Sequence, residues 1–319
     1  MNCKYLLSLL ILGGLMTACG DDEPDSKLEQ NEQYTTMSIY ADEEGSTGAS
    51  VSKYNMTYNL LAGDVTIQCA SLSIGHSNVS FETASVPFST AVIQDSYVVN
   101  TIHVSSHVPM TSAGVKIDNL SMYLTNGIYD LKRPAPGVSN EYSFSVGLFM
   151  QYTLNNTYKV KSMPVDVCYG GSTVTSFPDS NTDGMSAYQS DDMMYRIVFN
   201  TSRKTADVVL YDAKFAPAAP ALKGIVLRDL AVEFTSDAGF VVSGTDIVPE
   251  TFEGTDASTP NPRYSFNSFS IASSNSDLTK VRCETSDFGR VDPLVFVNKL
   301  LNTLDNILGY SLAGGVDMA

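Results

Sequence analysis

Chemistry in this 319-residue chain has few places to sit. "PDSNTDG", residues 178–184, sets Asp179, Asn181 and Asp183 at alternate positions with Gly184 next, the spacing with which many calcium loops begin. Calcium takes several hard oxygen ligands, and a glycine lets the chain bend sharply around the ion. Counted from Asp179, position twelve is Ser190, where a helix–loop–helix calcium site has glutamate, and Asp191 and Asp192 follow one and two places late. Two readings therefore stand: a structural calcium site on Asp179, Asn181 and Asp183, or a solvated polar turn. The histidines are His76, His103 and His107. In "TIHVSSHVP" the last two would share a helix face, yet the β-branched residues around them predict a strand. There, positions four apart lie about 13 Å from each other, beyond the reach of one metal ion. Ser50 and Lys53 make an S-x-x-K string without the helix that would present the serine. The sequence has no G-x-S-x-G elbow and no glycine-rich phosphate loop. The expectation is a protein without a catalytic centre, with a glycan hydrolase built on an unmarked carboxylate pair as a distant alternative.

The amino terminus speaks to location. Lys4 is followed by the apolar run Leu6 to Leu15 and then "LMTACG". An apolar core of about ten residues is right for a signal peptide and short for a membrane span. Small residues directly before Cys19 resemble a bacterial lipobox, and "DDEPD" at 21–25 resembles the export signal of Bacteroidetes-type surface lipoproteins. The resemblance implies removal of residues 1–18, a lipid on Cys19 that holds the chain in the outer membrane, and display on the cell surface. Residues 19–49 are then expected to be anchor and flexible acidic tether. The formal charge of −16 disfavours nucleic acid and anionic lipid as partners. Of five cysteines, Cys3 leaves with the signal and Cys19 is the anchor. Cys69, Cys168 and Cys283 remain, an odd number without C-x-x-C spacing, which predicts buried free thiols.

The elements that would position any site emerge when the sequence is compared with itself. "YNMTYN" at 54–59 matches "YRIVFN" at 195–200, each followed by an alternating run, "DVTIQCA" and "DVVLYDA". "GVKIDNLSMYLT" at 114–125 matches "GIVLRDLAVEFT" at 224–235 without a gap. Two copies are expected, over 50–170 and 193–290, joined by a linker at 171–192. Between corresponding strands the first copy has residues 75–113 where the second has only 216–223. Apolar and polar residues alternate in both copies and β-branched residues are frequent, so the fold class is all-β: two related antiparallel barrels or sandwiches. "LTNGIY" at 124–129 predicts a tight hairpin through Asn-Gly. Over 291–319, Asp292 and Pro293 open a helical pattern in which Leu294, Val297, Leu301, Leu304 and Leu308 share a stripe.

Short strands with frequent hairpins behind a lipid anchor resemble the tandem calycin-like (lipocalin-like) domains of Bacteroidetes surface lipoproteins. That resemblance implies a binding role with no resident cofactor, the ligand being a small apolar molecule or an extracellular glycan. A structural or adhesive protein that recognises another protein is the alternative. Sugar sites favour flat aromatic faces, and the chain has no tryptophan.

Overall fold

A computed structural model describes residues 29–284, apart from residue 60, residues 94–96, 127–134, 139–145, 171–172, 179–184, 216, 218–220, 254–257, 274–277 and 279–280. The signal segment, Cys19 and the leucine stripe of 291–319 lie outside the described residues. The chain divides into two units, residues 1–128 with 144–164 and residues 129–143 with 165–319. Among the described residues both are antiparallel β structure, and the one helical turn is a short 3₁₀ segment at Pro262–Tyr264.

The first unit contains β1 (Glu29–Ala41), β2 (Thr47–Asn59), β3 (Asp64–Ile74), β4 (Ser77–Glu82), β5 (Val86–Pro87), β6 (Ser89–Ile93), β7 (Tyr97–His107), β8 (Ile117–Asn126), β9 (Val146–Leu154) and β10 (Tyr158–Pro164). They form one curled sheet in the order β4-β3-β2-β1-β10-β9-β8-β7-β6, with β5 on β3. Side chains alternate across a strand, so Tyr54, Met56 and Tyr58 of β2 and Val65, Ile67 and Cys69 of β3 point into one shared core. The curl nearly closes the sheet. Thr83 bridges Met110, Ala84 N donates to Pro109 O at 2.7 Å, and Thr111 N donates to Glu82 O at 3.0 Å. Residues 75–113, the surplus of the first copy, supply β4 to β7 and so form the wall between β3 and β8.

Three boundaries differ from the sequence reading. Residues 29–41, expected within the tether, are β1, paired on both sides with β2 and β10. Residues 166–170, expected in the first copy, are a strand of the second unit, and the expected linker 171–192 carries a hairpin. The hairpin expected at Asn-Gly 126–127 is not what pairs β8: Asn126 pairs with Val146, and Gly127 lies outside the described residues. Asn-Gly tolerates a two-residue turn locally, but which strand pairs with β8 is set by the sheet.

The second unit contains β11 (Asp166–Gly170), β12 (Thr173–Pro178), β13 (Met185–Ser190), β14 (Met194–Asn200), β15 (Thr205–Ala213), β16 (Leu222–Phe234), β17 (Phe240–Ile247), β18 (Glu250–Phe252), β19 (Thr259–Pro260), β20 (Phe266–Ser273) and β21 (Val281–Glu284). Its main sheet runs β11-β14-β15-β16-β17-β20-β21, with β18 on β16 and β19 on β18, while β12 and β13 pair only with each other. Ala135 and Val138 pack in this unit against Val209, Tyr211, Val226 and Phe252. Arg228 Nη2 holds that segment by donating to Pro136 O at 2.6 Å.

The matched sequence segments occupy matching structure. β2-β3 and β14-β15 are both hairpins, and the asparagine ending the first strand caps each turn: Asn59 Oδ1 accepts from Ala62 N at 3.0 Å, Asn200 Oδ1 from Arg203 N at 3.2 Å. Asn119 in β8 and Asp229 in β16, 110 positions apart as their strands are, both have positive φ, 55° and 49°. Both strands break register there, as a β-bulge does.

Candidate functional site

Among the described residues, the serine, lysine and cysteine side chains that could act as nucleophiles are kept apart or held protonated. Ser50 and Lys53 are separated by an odd number of positions on β2 and point to opposite faces, and the Ser50 hydroxyl donates to Ser73 O at 3.2 Å. No serine–lysine dyad forms. The three free thiols are pushed up to about 12: Cys69 by burial, Cys168 by burial and the Asp166 charge, Cys283 by burial and the Glu284 charge. All three stay protonated at neutral pH, although only Cys69 is fully buried and Cys168 and Cys283 are half-buried.

At the centre of the first unit, Tyr54 OH meets Tyr152 OH at 3.0 Å, Ser162 Oγ at 3.0 Å and Ser38 Oγ at 3.2 Å. Burial raises both phenols above their ordinary range. The Phe81 ring lies edge-on to Tyr152 at 5.8 Å and tilted to Tyr54 at 6.5 Å. Rings and hydroxyls thus meet within the buried core of the first unit. Beside them, Thr36 Oγ1 and Ser52 Oγ are buried without a hydrogen-bond partner.

In the second unit Asp166 and Arg196 make a closed bidentate pair, Nε to Oδ1 at 2.8 Å and Nη2 to Oδ2 at 2.6 Å. Arg228 bonds Glu250 Oε2 through Nε at 3.0 Å and Nη2 at 2.7 Å, and Ser258 donates to the same oxygen at 2.6 Å. Burial alone would raise the Glu250 carboxyl, but these hydrogen bonds and the Arg228 charge outweigh it and hold it below the usual range. Both carboxylates already hold their cations.

The sequence-predicted metal residues fare as follows. Asp179, Asn181 and Asp183 lie outside the described residues; their segment connects Pro178 of β12 to Met185 of β13, which are cross-strand partners. His76 is exposed in the β3–β4 turn. His103 and His107 are on strand β7, as expected, opposite Ser121 and Asp118 of β8. His107 Nδ1 is 3.5 Å from Asp118 Oδ1, which also faces Lys116. Among the described residues no three His, Cys, Asp or Glu side chains converge on a metal position.

What remains open is the outer surface of the first half of β1 with the facing parts of β2 and β3; further along that face Met37 and Ile39 of β1 are buried. Gln33, Asn55 and Gln68 lie directly across from one another on the three strands, and Asn31, Thr57 and Thr66 form the next row. Gln33 Nε2 donates to Asn55 Oδ1 at 3.0 Å, Asn55 Nδ2 donates to Gln68 Oε1 at 3.1 Å, and Thr57 Oγ1 donates to Asn31 Oδ1 at 2.7 Å. These side chains are exposed or half-buried. The rows carry no charge, although Lys53 stands at one end, Glu29 and Asp64 at the other, and Glu82 beside Gln68. Strands are about 4.8 Å apart and alternate rows about 7 Å apart, so the six residues make a flat grid of donors and acceptors. The sequence gives one signal for it: uncharged polar residues at the alternate positions of "NEQYTT", "SKYNMTYN" and "DVTIQCA". The register that assembles them is not visible there.

Comparison with protein-family models, with curated proteins and with solved structures finds no match to this chain.

Proposed function

We propose that the chain is a non-catalytic binding protein held on the outside of a bacterial outer membrane by a lipid on Cys19, and that it contacts an extracellular glycan through its surface. The observation that carries this reading is the pairing of a filled interior with an exposed, uncharged amide and hydroxyl face. A ligand inside the first unit would have to displace Tyr54, Phe81 and Tyr152, which favours a glycan outside over a small apolar molecule inside. The closed ion pairs and protonated thiols favour binding over catalysis. Calcium on Asp179, Asn181 and Asp183 would be structural in this scheme, stiffening the connection between β12 and β13.

Recognition of another protein is the second reading, and the hairpin β12–β13 favours it. Its twelve strand residues are uncharged, Val174 is exposed, and neither strand pairs with the main sheet. Natural edge strands are commonly guarded by charge. A pull-down separates the two readings. The whole chain after Cys19 is mixed with insoluble cellulose, xylan, mannan and starch, and with envelope proteins of the same cell. Retention on a polysaccharide is expected; retention on envelope proteins alone overturns the glycan reading.

A further inference from the structure

We infer that the rows Gln33–Asn55–Gln68 and Asn31–Thr57–Thr66 bind a neutral, linear polysaccharide that crosses the strands from β1 to β3. This rests on the glycan reading above and assigns it a site and a ligand class. A sugar hydroxyl both donates and accepts a hydrogen bond, and so does a side-chain amide. Each amide keeps valences beyond the ladder bonds: Gln33 its carbonyl lone pairs and one amide hydrogen, Asn55 one amide hydrogen, and Gln68 both amide hydrogens. The two ladder bonds run in the same sense, from β1 towards β3, so the row offers an acceptor at one end and a donor at the other. They also fix the orientation of the amides before a ligand arrives, which lowers the entropy lost on binding.

The class of glycan follows from charge and spacing. A chain of −16 disfavours acidic polymers, and the two uncharged rows offer no cation to pair a uronate or sulfate. A strand spacing of about 4.8 Å is close to the advance of one pyranose ring in an extended chain, so successive sugars meet successive strands. No aromatic residue stands in either row. Without a stacking platform each sugar binds weakly, and useful affinity needs several sugars of one polymer held together. The ligand is therefore a polymer, with the monosaccharide too weak to detect.

Native electrophoresis through gels containing a soluble β-glucan, a galactomannan, a xylan or polygalacturonate tests this. The whole chain after Cys19 is run beside Q33A/N55A/Q68A, the single variant Q68A, and Q189A on β13 as control. Retardation by at least one neutral polymer is expected. The triple variant should bind about tenfold more weakly or worse, from the loss of several hydrogen bonds, and Q68A should be intermediate. All three replaced side chains are outside the core, so circular dichroism should show every variant folded. Equal retardation of wild type and the folded triple variant overturns the site while the glycan reading survives. Retardation by polygalacturonate alone overturns the neutral class. Migration unaffected by any polymer overturns both.

Discussion

Removing the carboxylate of Asp166 should unfold the second unit at a much lower temperature. Asp166 and Arg196 have side chains 0% and 1% exposed, and the guanidinium gives two short bonds to the carboxylate and a third, at 3.4 Å, to Tyr211 OH. Burial by itself would discharge Arg196, but the hydrogen bonds and charge of Asp166 reverse that and raise it above its ordinary value. In D166A the cation stays buried without the carboxylate that balances its charge, at a cost of about 3–5 kcal/mol. For a domain of this size that corresponds to a fall in Tm of about 6–20 °C. The variant D166L/R196M removes both charges and should recover most of the loss, because a buried pair is worth little against apolar residues of similar volume. Differential scanning calorimetry of the three proteins is the assay. A D166A transition within about 4 °C of wild type would refute the reasoning, since it would mean that water reaches the guanidinium.

Other consequences follow from the same packing. With thiols at about 12, roughly one in ten thousand is ionised at pH 8, so a disulfide reagent should label the native chain after Cys19 at least about a hundredfold more slowly than the denatured chain; rapid native labelling would contradict the burial. A raised thiol stabilises the fold only while the unfolded chain also keeps its proton. Stability should therefore hold below about pH 9 and decline as the pH climbs towards about 12, read by urea midpoints across that range. Asn119→Val and Asp229→Val put β-branched residues at positive φ and should each cost about 1–2 kcal/mol, whereas the glycine variants should be tolerated; equal midpoints for valine and glycine would deny the bulges. Thr36→Val and Ser52→Ala remove buried hydroxyls without partners and should stabilise the fold by about 1 kcal/mol each, read as a rise in the urea midpoint; a fall would show that the hydroxyls are bonded in solution.

Strand identity was legible because alternation is a local property. "YNMTYN", "DVTIQCA" and "GIVLRDLAVEF" each present an apolar face at every second residue, and each is a strand. The near-repeats fall on strands that share a turn cap and a bulge in the structure, neither of which was read from the sequence. β1 was harder to read. Its first half, "EQNEQYTT", has acidic and amide side chains where a tether would, and its second half is buried on both faces, so alternation fades where it would be most useful. Pairing partners were not legible: Asn126 finds Val146 across nineteen intervening residues, a choice made by the sheet. The amide grid was invisible for the same reason. Its residues come from three strands, and only the register brings Gln33, Asn55 and Gln68 into line.

The central claim is that this protein binds on its outside. It is tested most directly by following the side-chain and backbone amide resonances of the ¹⁵N-labelled chain during titration with whichever neutral polysaccharide retards it most. The account predicts shifts at Gln33, Asn55 and Gln68, with the signals of Tyr54, Phe81 and Tyr152 unmoved. Shifts centred on the backbone amides of those three buried residues, with the side-chain amides unchanged, would contradict it and place the ligand inside the first unit.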